Sequence, residues 1–327
     1  MNEFRWGILG TGGIASAFVK DLEMAEGHSV VAVGSRSQQK ASEFASSIPG
    51  ATAYGSYEDL VCDNDVDAIY VSTPHPFHKE HTLLALHASK PVLCEKPFAI
   101  SASESEEMID AALINKVALL EAMWTRYLPH IAQVRKILSS GVLGKIYSVE
   151  ADHGQRLADR NIPRLVDPEL AGGALLDLGI YPISFAHLIL GAPTKITSRA
   201  VMTDRGVDAQ TSAIFDYADG AQAVITTNMI TRTPCRALVS GLLARLEIES
   251  VFYNPTSMRV ITSDGEITEY PHSYQGHGLR EQAIEMARVV RSGQLESPLM
   301  PWSETVAVMQ SLDEIRRQIG LSYPFEN

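Results

Sequence analysis

An α/β chain is what this sequence predicts. It combines an N-terminal doubly wound parallel sheet with a C-terminal α+β domain built on a large, mostly antiparallel open sheet. Three observations predict it. Short apolar runs alternate with helix-period segments through residues 1–122, the pattern of strand–helix–strand units that assemble into parallel sheet. A glycine-rich turn, Gly10-Thr11-Gly12-Gly13-Ile14-Ala15, joins the first apolar run to the first helix. Within residues 123–327, the stretch 195–270 instead alternates apolar and polar positions between turn signals such as Ala218-Asp219-Gly220 and Ser263-Asp264-Gly265, the mark of successive antiparallel strands.

Arg5-Trp6-Gly7-Ile8-Leu9 reads as the first strand, and residues 16–25 as the first helix, with Ile14, Phe18 and Leu22 on one face. The turn between them has the form GxGxxA, the dinucleotide fingerprint of the Rossmann fold. Gly10 permits the tight turn, Gly12 lets backbone approach a pyrophosphate, and Ala15 lets helix and strand pack closely. Amides at the helix start then meet the phosphate charge. With Thr11, Gly13 and Ile14 these residues are the candidates for holding a dinucleotide. A second strand, residues 29–34, leads into Ser35-Arg36-Ser37-Gln38-Gln39-Lys40. NAD sites place an acid here for the ribose hydroxyls, whereas NADP sites favour an arginine. The acid is missing. Ser35, Arg36 and Lys40 offer donors and positive charge, and a guanidinium holds an extra phosphate by forked, charge-assisted contacts. The expected cofactor is NADP.

Residues 56–60 read as a capped short helix and 67–72 as a buried strand ending in Thr73-Pro74-His75-Pro76-Phe77-His78. Thr73, Pro74 and His78 are expected on the nicotinamide side of the cofactor. His75 and His78 lack a companion Cys, Asp or Glu, so no metal site is expected. A helix over 79–88 leads to the strand Pro91-Val92-Leu93-Cys94 and then Glu95-Lys96-Pro97. Pro97 pushes Lys96 into extended backbone, which sets an ammonium at the carboxyl end of a strand, where open α/β sheets bind ligands. Glu95 and Lys96 join the candidate cofactor contacts. Ser101-Ala102-Ser103-Glu104 is a capping box opening a helix to about Asn115, and Val117-Ala118-Leu119-Leu120 supplies a final strand.

In the second half, residues 127–139 read as a helix and 144–151 as a strand. The polar segment 155–169, with Arg156, Arg160 and Arg164, reads as a loop over the active site, Arg164 nearest the substrate. Gly172-Gly173 opens a helix over 174–190. Asp177 and Tyr181 stand four residues apart on it, so they share one face. Leu175, Leu176, Leu178, Ile180, Ile183 and Phe185 surround them, and polar groups within an apolar helix need partners. Strands follow at 196–201, 211–217, 221–228, 235–240, 244–250 and 259–262, then helices at 279–291 and 303–319. His277, just before the first of these helices, either caps structure or reaches the cleft.

Three motifs taken in order, Gly10 to Ala15, Cys94-Glu95-Lys96-Pro97, and Ala171-Gly172-Gly173-Ala174-Leu175-Leu176-Asp177-Leu178-Gly179-Ile180-Tyr181-Pro182, resemble the glucose–fructose oxidoreductase / inositol dehydrogenase (Gfo/Idh/MocA) family. The resemblance covers essentially the whole chain. Met123-Trp124-Thr125-Arg126-Tyr127-Leu128-Pro129 and Arg164-Leu165-Val166-Asp167-Pro168 are most similar to the dimeric dihydrodiol dehydrogenases and the NADP-dependent D-xylose dehydrogenases. The resemblance implies a lysine at the reacting oxygen, here Lys96. It also implies an aspartate and, four residues on, a histidine or tyrosine, matched by Asp177 and Tyr181 as catalytic groups. Tyrosine at that position favours the sugar and dihydrodiol branch over an inositol substrate. Trp124, Arg126 and Arg164 are implied substrate contacts, and association as a homodimer or homotetramer through the C-terminal sheet is implied as well.

Composition narrows the remaining classes. The chain has 327 residues, 45% hydrophobic and 20% charged, with a net charge of −12 and no Lys/Arg cluster, so nucleic acid is not an expected partner. Cys62, Cys94 and Cys235 form neither a disulfide framework nor a CxxC pattern, which suits a reducing cytoplasm. No secretory signal is expected, and no uninterrupted apolar run approaches the ~20 residues of a membrane span. The expected activity is hydride transfer between NADP and a secondary alcohol or sugar hemiacetal, with an ammonium from the first domain meeting a carboxylate and a phenol from the second. Tyr181, its pKa lowered by Lys96, or Lys96 itself takes the proton; the sequence leaves both open. Its rivals are a non-catalytic NADP sensor and an oxidoreductase that recycles tightly bound NADP between two sugars.

Overall fold

The structure, a computed structural model, describes residues 3–160 and 162–326. It divides into two compact units: Met1–Tyr127 with Gly276–Val306, and Leu128–Gln275 with Ala307–Asn327. In the first unit, β1 (Phe4–Leu9), β2 (His28–Gly34), β3 (Thr52–Tyr54), β4 (Ala68–Val71), β5 (Val92–Glu95) and β6 (Leu119–Ala122) form one six-stranded parallel sheet in the order β3-β2-β1-β4-β5-β6. Strand order reverses between β1 and β4, which is where such sheets open a crevice beyond the strand ends. Every residue of β4, β5 and β6 is buried, as both faces of a parallel sheet are covered. Ile69, Val71, Val92 and Cys94 pack into one apolar cluster with Leu86, Met108 and Phe98. On the opposite face Trp6, Phe18 and Tyr70 make aromatic contacts at centroid distances of 5.4 Å and 4.0 Å.

Local signals start most of the helices here. α2 (Gln38–Ala45), α3 (Tyr57–Val61) and α5 (Ala102–Asn115) begin at Ser37, Ser56 and Ser101, each accepting a first-turn amide on its hydroxyl. α4 (His78–His87) follows a 3₁₀ turn at His75–Phe77. α1 (Gly13–Leu22) differs, because Gly12 provides no side-chain cap.

The compact units are not contiguous in sequence, because residues 276–306 fall with the first. The return segment packs on the first unit through long-range contacts that no local pattern reveals. Asp21, 3% exposed, accepts the backbone N–H groups of His277, Gly278 and Arg280 at 2.8–3.0 Å. Trp302 Nε1 donates to Leu119 O at 2.8 Å, and the Thr305 hydroxyl donates to Glu121 Oε2 at 2.8 Å.

The second unit begins with α6 (Pro129–Ser140), preceded in the chain by a 3₁₀ turn at Trp124–Tyr127. Its sheet uses β7 (Ile146–Gly154), β8 (Lys195–Met202), β9 (Asp208–Asp216), β10 (Gln222–Asn228), β11 (Ala237–Gly241), β12 (Ala244–Ile248), β13 (Met258–Thr262) and β14 (Ile267–Tyr270), ordered β14-β13-β12-β11-β7-β10-β9-β8. Only β7 and β10 pair in parallel. β3 and β14 are additional to the strands read from the sequence. A short helix, α7 (Pro163–Val166), lies in the polar segment. The helix expected over 174–190 is a π-helical turn, Leu175–Gly179, running into α8 (Ile180–Leu190), which packs against β7 and β10. By composition the stretch Pro168–Leu190 could cross a bilayer, yet 83% of its most apolar window is buried inside the protein. The opposite face of the sheet exposes Val201, Ile214 and Val224. α9 (Arg280–Arg291) and α10 (Trp302–Ile319) complete the chain.

Candidate active site

In the first unit the glycine turn builds a cradle. Gly10 has φ +107°, and a Cβ there would lie 3.2 Å from the Ser72 backbone, so only glycine fits without strain. At Gly13 a Cβ would meet nothing within 4 Å, and at Gly12 it would meet only Ser72 O, at 4.0 Å. The space over the uncapped first turn of α1 is therefore open, and its amides carry the partial positive charge that suits a phosphate. Thr11 and Ile14 flank this opening, both half-buried.

Beyond β2, Ser35 is buried, with its amide donating to Tyr54 O at 3.1 Å. Arg36 is exposed, its guanidinium 5.8 Å from the Phe77 ring centroid. It also bonds to Tyr57, whose hydroxyl pKa burial raises. Lys40 is exposed on α2. Residues 35–40 contain no acid, and the donor set fits a nucleotide bearing an additional phosphate on its ribose.

Lys96 sits half-buried at the end of β5, and its peptide bond to Pro97 is cis. The side chains expected near it have partners within the chain. Glu95 is 4% exposed; it accepts the Tyr70 hydroxyl on Oε1 at 2.5 Å and the Lys96 N–H on Oε2 at 3.1 Å, so its carboxylate holds the motif together. His78 is fully buried, its ring nitrogens 2.8 Å from Pro97 O and 2.8 Å from Thr73 O. It ties two loops together, and burial lowers its pKa to about 4. The Thr73 hydroxyl faces His81 Nδ1 at 2.9 Å, leaving Pro74 as the more exposed of that pair. Arg126, expected at the substrate, is 1% exposed and ion-paired with Glu304. Trp124 is buried, its ring stacked on His277 at 4.9 Å, so His277 both anchors through Asp21 and packs on the tryptophan.

In the second unit, Asp177 and Tyr181 project from the π-turn and the first turn of α8 and are 6% and 7% exposed. The wider turn still leaves residues four apart on nearly the same side, and such turns recur at functional sites. Its entry is held by Asp208, which accepts the Leu175 N–H at 2.9 Å and the Thr211 hydroxyl at 2.8 Å. Burial raises the Asp208 pKa to about 6. Gly173, at φ +123°, leaves room for that carboxylate, since a Cβ would come within 2.2 Å of Asp208 Oδ1. Arg164 Nη1 donates to Asp177 Oδ1 at 2.8 Å. The loop arginine singled out from the sequence is therefore drawn to the carboxylate of the DLGIY segment.

Three residues not identified from the sequence complete this cluster. His153 is 1% exposed, and its ring stacks on Tyr253 at 4.0 Å and meets Tyr181 edge-on at 5.2 Å. His153 Nδ1 lies 3.2 Å from Leu178 O, an acceptor only, so the proton belongs on Nδ1. Nε2 then accepts from the Gln155 amide at 2.9 Å, and the same amide donates to the Tyr253 hydroxyl at 3.1 Å. Tyr253 lies 4.8 Å from Tyr181, and burial raises its pKa. The one sequence signal for His153 was its place just past a strand read to 151; Tyr253 lies between β12 and β13, where no periodicity points to it. Among the described residues, no group of three or more His, Cys, Asp or Glu side chains could hold a metal ion.

A family model described as "Oxidoreductase family, NAD-binding Rossmann fold" matches residues 4–122, and the "GFO/IDH/MocA C-terminal domain" matches 131–267. The chain is 35% identical to a D-xylose 1-dehydrogenase (NADP(+)) of Hypocrea jecorina, over 98% of this chain and 93% of that protein. It is 36% identical to a trans-1,2-dihydrobenzene-1,2-diol dehydrogenase of Mus musculus, over 98% of each. Among solved structures, KijD10, a 3-ketoreductase from Actinomadura kijaniata in complex with NADP, is similar at a TM-score of 0.82 with 27% identity, covering 97% of this chain and 98% of that one. An aldose-aldose oxidoreductase from Caulobacter crescentus shares the fold at a TM-score of 0.88 with 24% identity, covering 97% of each chain.

Proposed function

The chain belongs to the GFO/IDH/MocA oxidoreductase family, and from that premise we propose that it is an NADP-dependent dehydrogenase acting on a D-xylose-like sugar or a trans-dihydrodiol. The observation that carries the reading is whole-length likeness to NADP-linked sugar and diol dehydrogenases in a chain with Arg36, not an acid, after β2. When bound, the nicotinamide accepts or returns the hydride. The chain does the rest. Gly10, Thr11, Gly12, Gly13 and Ile14 present backbone to the pyrophosphate, while Arg36, with Ser35 and Lys40, binds the ribose phosphate. Asp177 and Tyr181 engage substrate hydroxyls, with Arg164 holding the carboxylate in place. Either Tyr181 or Lys96 takes the hydroxyl proton as general base.

The test is reduction of NADP, followed by absorbance, with D-xylose, D-glucose, an anhydro-ketose and trans-dihydrodiols as substrates. We expect turnover with at least one sugar or diol. Lys96→Met should then lose ~100-fold or more in kcat while still binding NADP. An inert parent protein, or a variant with unchanged turnover, overturns the reading.

In the same reading, copies of the chain associate through the open sheet face that exposes Val201, Ile214 and Val224, since apolar patches of this kind mark association surfaces. Light scattering should report a dimer or tetramer that Ile214→Lys dissociates. A parent that is monomeric at assay concentration contradicts this.

A further inference from the structure

We propose that Tyr70 is a positioning residue for Lys96: its hydroxyl holds the Glu95 carboxylate, whose second oxygen fixes the Lys96 backbone amide. In register, Tyr70 pairs with Leu93 across β4 and β5, so Glu95, two residues on, lies on the same face of the sheet. Tyr70 is wholly buried, and a buried phenol needs an acceptor. It finds one in Glu95 Oε1 at 2.5 Å. Glu95 Oε2 accepts the Lys96 N–H at 3.1 Å. On its other side the Tyr70 ring stacks on buried Phe18 of α1, at 4.0 Å and 18°. The backbone that bears Lys96 is thus braced, through Glu95 and Tyr70, against the helix whose first turn faces the phosphate cradle. Phenylalanine would fill the same space in the core; the hydroxyl serves Glu95.

Removing that hydroxyl leaves a buried carboxylate with one strong donor fewer, which favours its neutral form. The Lys96 amide then loses much of its acceptor, and a negative charge beside the lysine disappears. In Tyr70→Phe we expect kcat to fall ~10-fold, the scale of a modest misplacement of a reacting group, with substrate KM and NADP affinity held within about two-fold. The acid limb of the kcat–pH profile, set by the general base, should move to lower pH.

This inference rests on Lys96 acting in the dehydrogenase reaction, so a second arm needs no turnover. Reductive methylation with isotope-labelled formaldehyde lets NMR follow the Lys96 titration, assigned by its absence in Lys96→Met. It should move to lower pH in Tyr70→Phe. Glu95→Gln, which keeps an acceptor for Tyr70 but removes the charge, should shift it the same way and serves if the first variant misfolds. A shifted titration in a protein inert toward every substrate upholds the positioning role and sinks the dehydrogenase reading alone. An unchanged Lys96 titration, or a kcat–pH profile matching the parent's in an active enzyme, overturns the proposal.

Discussion

Replacing Glu121 by glutamine should flatten the fall in stability that the protein otherwise shows as pH rises from acid to neutral. Glu121 closes β6 with 2% of its surface exposed. Its Oε2 accepts from Thr305, while Oε1 has no hydrogen-bond partner among the described residues. Burial pushes its pKa up to about 7; Thr305 and Arg126 pull it down, and Glu304 and Glu95 push it further up. The folded chain therefore keeps a proton that the unfolded chain releases near the usual value of 4.5. The associated stability is fully present below about pH 4.5 and is lost as pH rises through about 7. A gap of about 2.5 pH units at about 1.4 kcal/mol each comes to about 3.5 kcal/mol, a large share of a marginal stability. Glutamine can still accept from Thr305 but does not titrate. Urea unfolding of parent and Glu121→Gln at about pH 5 and about pH 8 isolates the effect, because titrations not coupled to Glu121 cancel in the comparison. The parent should lose about 2.5 kcal/mol relative to the variant between those conditions. Parallel pH dependences would show that Glu121 is ionised throughout and that the burial argument fails.

Two further expectations concern the sites themselves. Arg36→Ala should weaken NADP binding by ~10-fold or more and NAD binding little, as expected for loss of a charge-assisted phosphate contact; calorimetry showing equal losses would remove Arg36 from the phosphate role. Gly173→Ala should cost about 2 kcal/mol or more, since it places a side chain at φ +123° and drives a Cβ into Asp208, the residue holding the π-turn. Thermal melts matching the parent's would show that the turn tolerates the substitution and that Asp208 is not confined there.

Much of the candidate site was legible because its sequence signals are local. GxGxxA announces itself in six residues, since a tight turn, a close backbone approach and a helix start each demand a small residue at a set offset. The missing acid after β2 and the lysine before a proline can be read the same way, and all of these residues lie at the carboxyl ends of their strands. Asp177 and Tyr181 were visible as polar residues four apart in an apolar helix, but the π-helical turn under Asp177 was not. It depends on Asp208, 31 residues further along the chain and reaching back to the Leu175 amide. The partners of Glu95, His78 and Arg126 were not legible for the same reason: residue type said that each could meet a ligand, while the fold supplies Tyr70, two backbone carbonyls and Glu304 as their neighbours. Local patterns report what the neighbouring few residues need. Hydrogen-bond partners of a buried polar group come from wherever the fold delivers them.

By itself, then, the sequence determined the parallel nucleotide sheet, and it pointed to the glycine turn as a phosphate cradle, to a cationic ribose pocket, and to the lysine, aspartate and tyrosine on which the proposed chemistry is read. Tertiary structure alone decided that residues 276–306 return to the first unit, that Arg164 pairs with Asp177, and that His153, Gln155 and Tyr253 gather around Tyr181. Periodicity and turn chemistry act over a few residues, whereas burial forces each polar group to find its complement across the whole chain.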